Sequence, residues 1–300
     1  MSELIFPLLL VLAIAYLTAL VLLWRFQERV VFQAPRLPST AEMRALGNVD
    51  KVTFRAADGA ELFAFVVGDP SSAPFVMLAF HGNADLARWL VPWASQVSRE
   101  TGAAVVLPEY RGYDGLGDPP TYFGVGQDAI AALTFVRDEL HVADSRIVYF
   151  GHSLGSAVAA ELAAVAPPRA LILQSPFTSA RAMARRMIVP GLGALWRVIS
   201  RVHYDTIGRV RRLSSPVWVA HGDRDLVIPL RMGREVFAAA ARRGELLIVR
   251  GAGHNDVDEV GGDAYWDWLR RACQVASPVA GHKRRSKKNA TGTFTDSLST

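Results

Sequence analysis

Cysteine is almost missing from this 300-residue chain. Cys273 stands alone, so no intrachain disulfide can form and no cysteine-based metal site can be assembled. That usage suits a reducing compartment. Cofactor motifs are missing too: there is no His-Glu-x-x-His pair, no phosphate loop ending in Gly-Lys and no Gly-x-Gly-x-x-Gly turn. Neither a metal nor an organic cofactor is expected. Excess charge is scarce away from the C-terminus. From Cys273 onward, Lys283, Arg284, Arg285, Lys287 and Lys288 face only Asp296, and this stretch carries nearly all of the formal charge of +5. The basic balance therefore belongs to a tail, and no nucleic-acid partner is expected of the fold. Polar, basic and rich in Ser and Thr, residues 277–300 are expected to be disordered.

Charge is absent altogether between Leu4 and Trp24. About 20 apolar residues in a helix cross a hydrocarbon layer of ~30 Å. A secretory signal would open on a basic segment and have a shorter apolar core, whereas Met1-Ser2-Glu3 holds no Lys or Arg. Buried core helices rarely stay uncharged for this long. Residues 1–24 are therefore read as a transmembrane anchor, and residues 25–48, punctuated by proline, as a linker. Arg25, Arg29, Arg36 and Arg44 all follow the apolar run. The positive-inside rule then puts the large domain in the cytoplasm, as part of a single-pass membrane protein.

Beyond the linker the pattern alternates. Short runs at 51–55 and 61–67 flank Asp58-Gly59, a hairpin signal. Apolar runs at 75–80, 103–108, 146–150, 170–174, 217–220 and 246–249 read as strands, separated by helical patterns at 86–99, 127–140, 154–165 and 230–243. A closing helix is expected at 263–275. Uninterrupted apolar strands imply burial on both faces, and strand–helix alternation implies a parallel sheet. The expected domain, 49–276, is α/β: a mostly parallel sheet of about eight strands with helices on both faces. The longest break, 178–215, is helical in pattern and interrupted by Pro190-Gly191 and Gly193; it is read as a small helical lid. It carries eight arginines against Asp205 alone, interleaved with apolar residues such as Met183 and Trp196. That pattern fits an ordinary solvated helix packed on the domain, or a lid lying against anionic lipid.

Gly151-His152-Ser153-Leu154-Gly155 stands between the run ending at Phe150 and the helical pattern from Leu154. A sharp strand-to-helix turn crowds the positions two before and two after its serine, so glycine is needed there. The turn sets Ser153 at a helix N-terminus, where backbone N–H groups favour developing negative charge. Serine needs a base, and in this arrangement an acid and then a histidine follow the nucleophile. His254 lies in Gly251-Ala252-Gly253-His254, directly after the last strand, whereas His282 belongs to the tail. His81, His152 and His221 read as loop-ordering residues. The acid should follow the run at 217–220, where Asp223 and Asp225 compete. Asp225 is favoured because the apolar Leu226–Pro229 run pins its loop, while Asp223 suits a turn cap. Oxyanion donors are expected from the N–H of Leu154 and from Asn83 in His81-Gly82-Asn83-Ala84.

Together these residues resemble the α/β-hydrolase superfamily, and within it the membrane-anchored serine hydrolases that pair one N-terminal helix with an H-G-N-A loop. The resemblance runs through Glu109-Tyr110-Arg111-Gly112-Tyr113, Ser175-Pro176-Phe177, His221–Pro229 and Gly251–Asn255. It departs from that pattern at Asp114-Gly115-Leu116-Gly117 and at Asp85-Leu86, both beside the expected site. It implies hydrolysis of a carboxylic ester or thioester in a lipid-like or acylated small molecule. An amidase or peptidase with the same triad, and a non-catalytic membrane-anchored scaffold, are the alternatives. A reporter fused to the C-terminus is expected to be active only when it works in the cytoplasm; activity confined to an extracytoplasmic reporter would reverse the orientation.

Overall fold

A computed structural model describes residues 2–35, 49–187 and 200–274. Most of the expected linker, the centre of the expected lid and the basic tail lie outside those residues. The apolar runs become β3 (Val76–Phe80), β4 (Ala104–Pro108), β5 (Ile147–His152), β6 (Leu171–Gln174) and β7 (Val217–Gly222), all but the last residue of β5 buried. With β1 (Asp50–Arg55), β2 (Glu61–Val67) and β8 (Arg243–Val249) they form one eight-stranded sheet, ordered β1-β2-β4-β3-β5-β6-β7-β8. The β1–β2 and β2–β4 pairs are antiparallel, and every pair from β4 to β8 is parallel.

Helices cover both faces. On one side α2 (Val91–Thr101) and α8 (Val257–Gln274) bury Ala94, Val97, Tyr265 and Trp268 against Met77, Val148 and Ile172. On the other, α3 (Tyr122–Thr134), α4 (Leu154–Val165), α6 (Thr206–Val210) and α7 (Leu230–Ala239) pack on Leu78, Tyr149 and Leu173. α5 (Ala180–Met187) and α6 both fall within the expected lid region, but α6 belongs to the core, where Val202, Tyr204, Val210 and Leu213 are buried, so that part of the region is not a lid.

Several boundaries differ from the sequence reading. The N-terminal helix α1 runs Ser2–Val31, so residues 25–31 are helical rather than linker. α3 starts at Tyr122, capped by the Thr121 side chain, which accepts from the Gly124 N–H; Gly124 and Gly126 mask its start in the sequence. α8 starts at Val257 with Asp258 and Glu259 in its first turn, where the helix dipole favours carboxylates, and bends at Gly262 (φ 48°). α7 stops at Ala239 and β8 begins at Arg243, earlier than their apolar patterns indicate.

A buried guanidinium ties the antiparallel hairpin to the parallel sheet. Arg111, just after β4, donates from Nε (2.9 Å) and Nη2 (2.7 Å) to Asp128 Oδ1 of α3, and from Nη1 to Asp58 (2.7 Å) in the β1–β2 turn. Burial raises the Asp128 pKa despite these bonds. Removing one partner of a buried pair strands the other in low dielectric, at about 3–5 kcal/mol. Asp128→Ala is expected to lower unfolding stability by about 3 kcal/mol, and Asp58→Ala, at the exposed turn, by clearly less. Urea unfolding of both variants measures the contrast.

Candidate active site

The register of the parallel strands brings their carboxyl ends to one edge. Phe80 of β3 pairs with Gly151 of β5, His152 with Gln174 of β6, and Gln174 with Ala220 of β7. Ser153 follows β5 and precedes α4 with φ 52° and ψ −115°, a conformation that costs a non-glycine residue of order 1–3 kcal/mol. The surroundings hold it there. A Cβ on Gly151 would strike the Gly155 carbonyl, and one on Gly155 the Phe80 and His81 carbonyls. The Ser153 N–H donates to the Gln174 carbonyl at 3.0 Å.

Two loops from the far strands complete a relay. His254 Nε2 lies 3.0 Å from Ser153 Oγ, and its Nδ1 lies 2.7 Å from Asp225 Oδ2. A carboxylate can only accept, so Nδ1 carries the proton and Nε2 is free to accept from the serine hydroxyl. Burial disfavours the Asp225 charge, but bonds from His221, His254 and the Ile228 N–H hold the carboxyl well below the usual carboxylate range. Its Oδ1 accepts from the N–H groups of Val227 (2.9 Å) and Ile228 (2.7 Å). Those backbone bonds, with the burial of Ile228, pin the loop. Leu226 and Val227 of the same apolar run do not, being 91% and 54% exposed. Asp223 faces away and accepts from the Gly251 N–H at 2.7 Å.

The histidines read as loop-ordering do hold loops. His152 Nε2 donates to the His254 carbonyl at 3.1 Å, and burial lowers its pKa to about 4, so it is a neutral brace. His221 Nε2 donates to the Ile228 carbonyl at 2.8 Å. His81 Nδ1 faces the Gly82 carbonyl at 2.8 Å and its Nε2 the Glu109 carboxylate at 2.7 Å. Both partners are acceptors, so both ring nitrogens donate. Glu109 also accepts from the N–H groups of Ala87 (3.0 Å) and Tyr110 (3.0 Å). This carboxylate has a place in the resemblance but no role that the sequence reveals, nor does the sequence reveal the buried Arg88–Asp114 pair, which uses one of the positions where the chain departs from the family pattern.

Ser153, His254, Asn83 and Leu154 line one cavity of about 840 Å³, within the range of small-molecule sites. Trp93, Phe150, Phe177 and Met183 give it an apolar body. Gln27, Val30, Val31 and Gln33, from the stretch read as linker, also line it. Among the described residues no cluster of three or more His, Cys, Asp or Glu is placed to hold a metal ion.

The chain belongs to the α/β-hydrolase superfamily: the family described as "alpha/beta hydrolase fold" matches residues 76–197. It is 32% identical over 275 residues to an uncharacterized protein of Mycobacterium tuberculosis, covering 88% of this chain and 93% of the relative. It is 29% identical over 224 residues to the human alpha/beta hydrolase domain-containing protein 17B, covering 74% and 73%. In fold it is similar to an esterase of Pyrococcus furiosus (TM-score 0.62, 17% identity, covering 81% of this chain and 100% of that one). It is also similar in fold to Est1E of Butyrivibrio proteoclasticus, solved with ferulic acid bound (TM-score 0.61, 18% identity, covering 73% of this chain and 96% of that one).

The His81–Glu109 pair gives stability a pH dependence. Burial opposes the imidazolium, but the adjacent carboxylate outweighs it and raises the His81 pKa. The folded chain then holds this proton more tightly than the unfolded chain. The contribution is complete below about pH 6.5, the unperturbed histidine value, and fades as pH rises through the elevated one. Urea unfolding of wild type and Glu109→Gln at about pH 5.5 and about pH 9 is expected to show the larger stability difference at the lower pH.

Proposed function

We propose that the chain is a serine hydrolase that cleaves a carboxylic ester or thioester through an acyl-enzyme on Ser153. The observation that carries this reading is the unbroken relay from Asp225 through His254 to Ser153. As Ser153 Oγ bonds to the substrate carbonyl carbon, His254 Nε2 takes the hydroxyl proton while Asp225 fixes the tautomer and stabilises the imidazolium. The Asn83 and Leu154 N–H groups stabilise the oxyanion. His254 returns the proton to the departing alkoxide or thiolate, and the bond from carbonyl carbon to leaving group breaks. Water, deprotonated by the same histidine, then releases the acid and restores Ser153.

The second half of the proposal is a membrane anchor. The Ile5–Leu22 stretch of α1 is long and apolar enough to cross a bilayer and makes no buried contact with the domain. α5 adds a lid segment: Met183 and Ala184 face the cavity, while Arg185 and Arg186 are exposed, as suits a surface beside anionic lipid.

Ser153→Ala and His254→Ala are each expected to lower kcat toward p-nitrophenyl esters by a factor on the order of 10⁶. Asp225→Asn should lower it by about 10⁴. Asp223→Asn, at a turn outside the relay, should change it by less than about tenfold. Equal losses for the two aspartates would reject the assignment of the acid.

A further inference from the structure

The juxtamembrane end of α1 is built into the site. Gln27, Val30 and Val31 from its last turns, and Gln33 just beyond, share the cavity of Ser153 and His254. Its position is fixed by several contacts. Phe32 is buried in the core, the Tyr122 N–H donates to Glu28 Oε1 at 3.1 Å, and the Arg201 N–H donates to Gln27 Oε1 at 2.6 Å. The Arg201 guanidinium also lies 4.2 Å from the Trp24 ring centroid. One contact reaches the oxyanion loop directly: the Gln33 N–H donates to Asn83 Oδ1 at 2.8 Å, and that oxygen also accepts from the Tyr113 hydroxyl at 3.1 Å.

Two further observations set the chemistry of what enters here. The cavity has an apolar rim as well as an apolar body, because Val30, Trp89 and Val227 line it while staying 47%, 43% and 54% exposed. Val30 also lies eight residues beyond the end of the exposed apolar stretch at Leu22, about 12 Å along a helix. With that stretch in a bilayer, the exposed Trp24 and Phe26 cross the interfacial layer, about 5–7 Å deep on each side of the hydrocarbon, and the rim at Val30 stands just beyond it. A water-soluble ester would gain nothing from such an entrance. An acyl chain leaving the bilayer along α1 would meet Phe26 and Val30 before it entered the apolar body of the cavity.

We infer that the end of α1 is a wall of the acyl-binding pocket, and that the substrate is a bilayer-resident long-chain acyl ester or thioester whose chain packs on Val30 and Val31. Val30 and Val31 are specificity-determining residues, and Gln33 is a positioning residue that acts through Asn83. The inference rests on the reading of Ser153 as the acylated nucleophile.

The test uses the full chain in detergent micelles and the ratio of kcat/KM for p-nitrophenyl decanoate to that for p-nitrophenyl acetate. Val31→Trp and Val30→Trp each fill the wall and are expected to lower this ratio by about tenfold or more. Leu12→Trp puts the same bulk on the same helix, within the exposed stretch, and should keep the wild-type ratio. A ratio that stays at the wild-type value in both valine variants, or falls as far in Leu12→Trp, overturns the inference. Labelling of Ser153 by a fluorophosphonate probe is followed in every protein. A wild type that fails to label removes the nucleophile reading itself, whereas a labelled wild type with an insensitive ratio removes only the wall. If Val31→Trp does not fold and so does not label, Val30→Trp at the half-exposed rim decides the matter.

Discussion

Ser153 stands at φ 52° because β5 must pass into α4 within a single residue, and that passage exists only where three backbone segments touch. Gly151 lies against the Gly155 carbonyl, and Gly155 lies against the carbonyls of Phe80 and His81 at the end of the neighbouring β3. Any Cβ at either glycine would push the helix off the sheet. The same contact that strains the serine thus sets α4 against the edge where β3 hands over to the His81–Ala84 loop. The candidate nucleophile and the candidate oxyanion loop are positioned by one packing constraint, and their geometry does not depend on separate adjustments.

Around that fixed point the polar groups act as braces. His152 and Ser175 both reach the His254 carbonyl, Asp223 holds Gly251, and Asp256 holds the Gly253 N–H at 2.6 Å. Together they keep the imidazole on a short loop in reach of both Asp225 and Ser153. Pre-set donors and acceptors of this kind cost no reorganisation when charge develops in the transition state, which is where most of the catalytic advantage of such sites arises. Glu109 extends the bracing beneath the H-G-N-A loop through His81 and Ala87.

Much of this was legible in the sequence wherever the determinant is local. The strand–turn–helix setting of Ser153 and the loop of His254 are spelled by adjacent residues, and both fall where expected. Of the two aspartates that compete in the sequence, it is Asp225 that faces His254, and its loop is held by backbone N–H groups and the buried Ile228 while Leu226 points into solvent. The pairs Arg111–Asp128, His81–Glu109 and Arg88–Asp114 join residues 17, 28 and 26 positions apart. No periodicity reveals them, because only the sheet topology brings their elements together. The end of α1 resembles a linker in sequence for a similar reason: Gln27 and Phe32 look like ordinary punctuation after an apolar run, and their burial depends on α3 and the segment around Arg201. Glycines concealed helix starts at Tyr122 and Val257 because the tertiary contacts outweigh their weak intrinsic preference.

The central claim, acyl transfer through Ser153, is tested most directly by trapping the intermediate. The full chain is mixed with p-nitrophenyl decanoate, quenched in acid within the first turnover and digested, and the peptides are analysed by mass spectrometry. A decanoyl adduct is expected on the peptide containing Ser153, present in wild type and missing from Ser153→Ala. An adduct confined to another residue, or hydrolysis that proceeds with no adduct on Ser153 at any quench time, would contradict it.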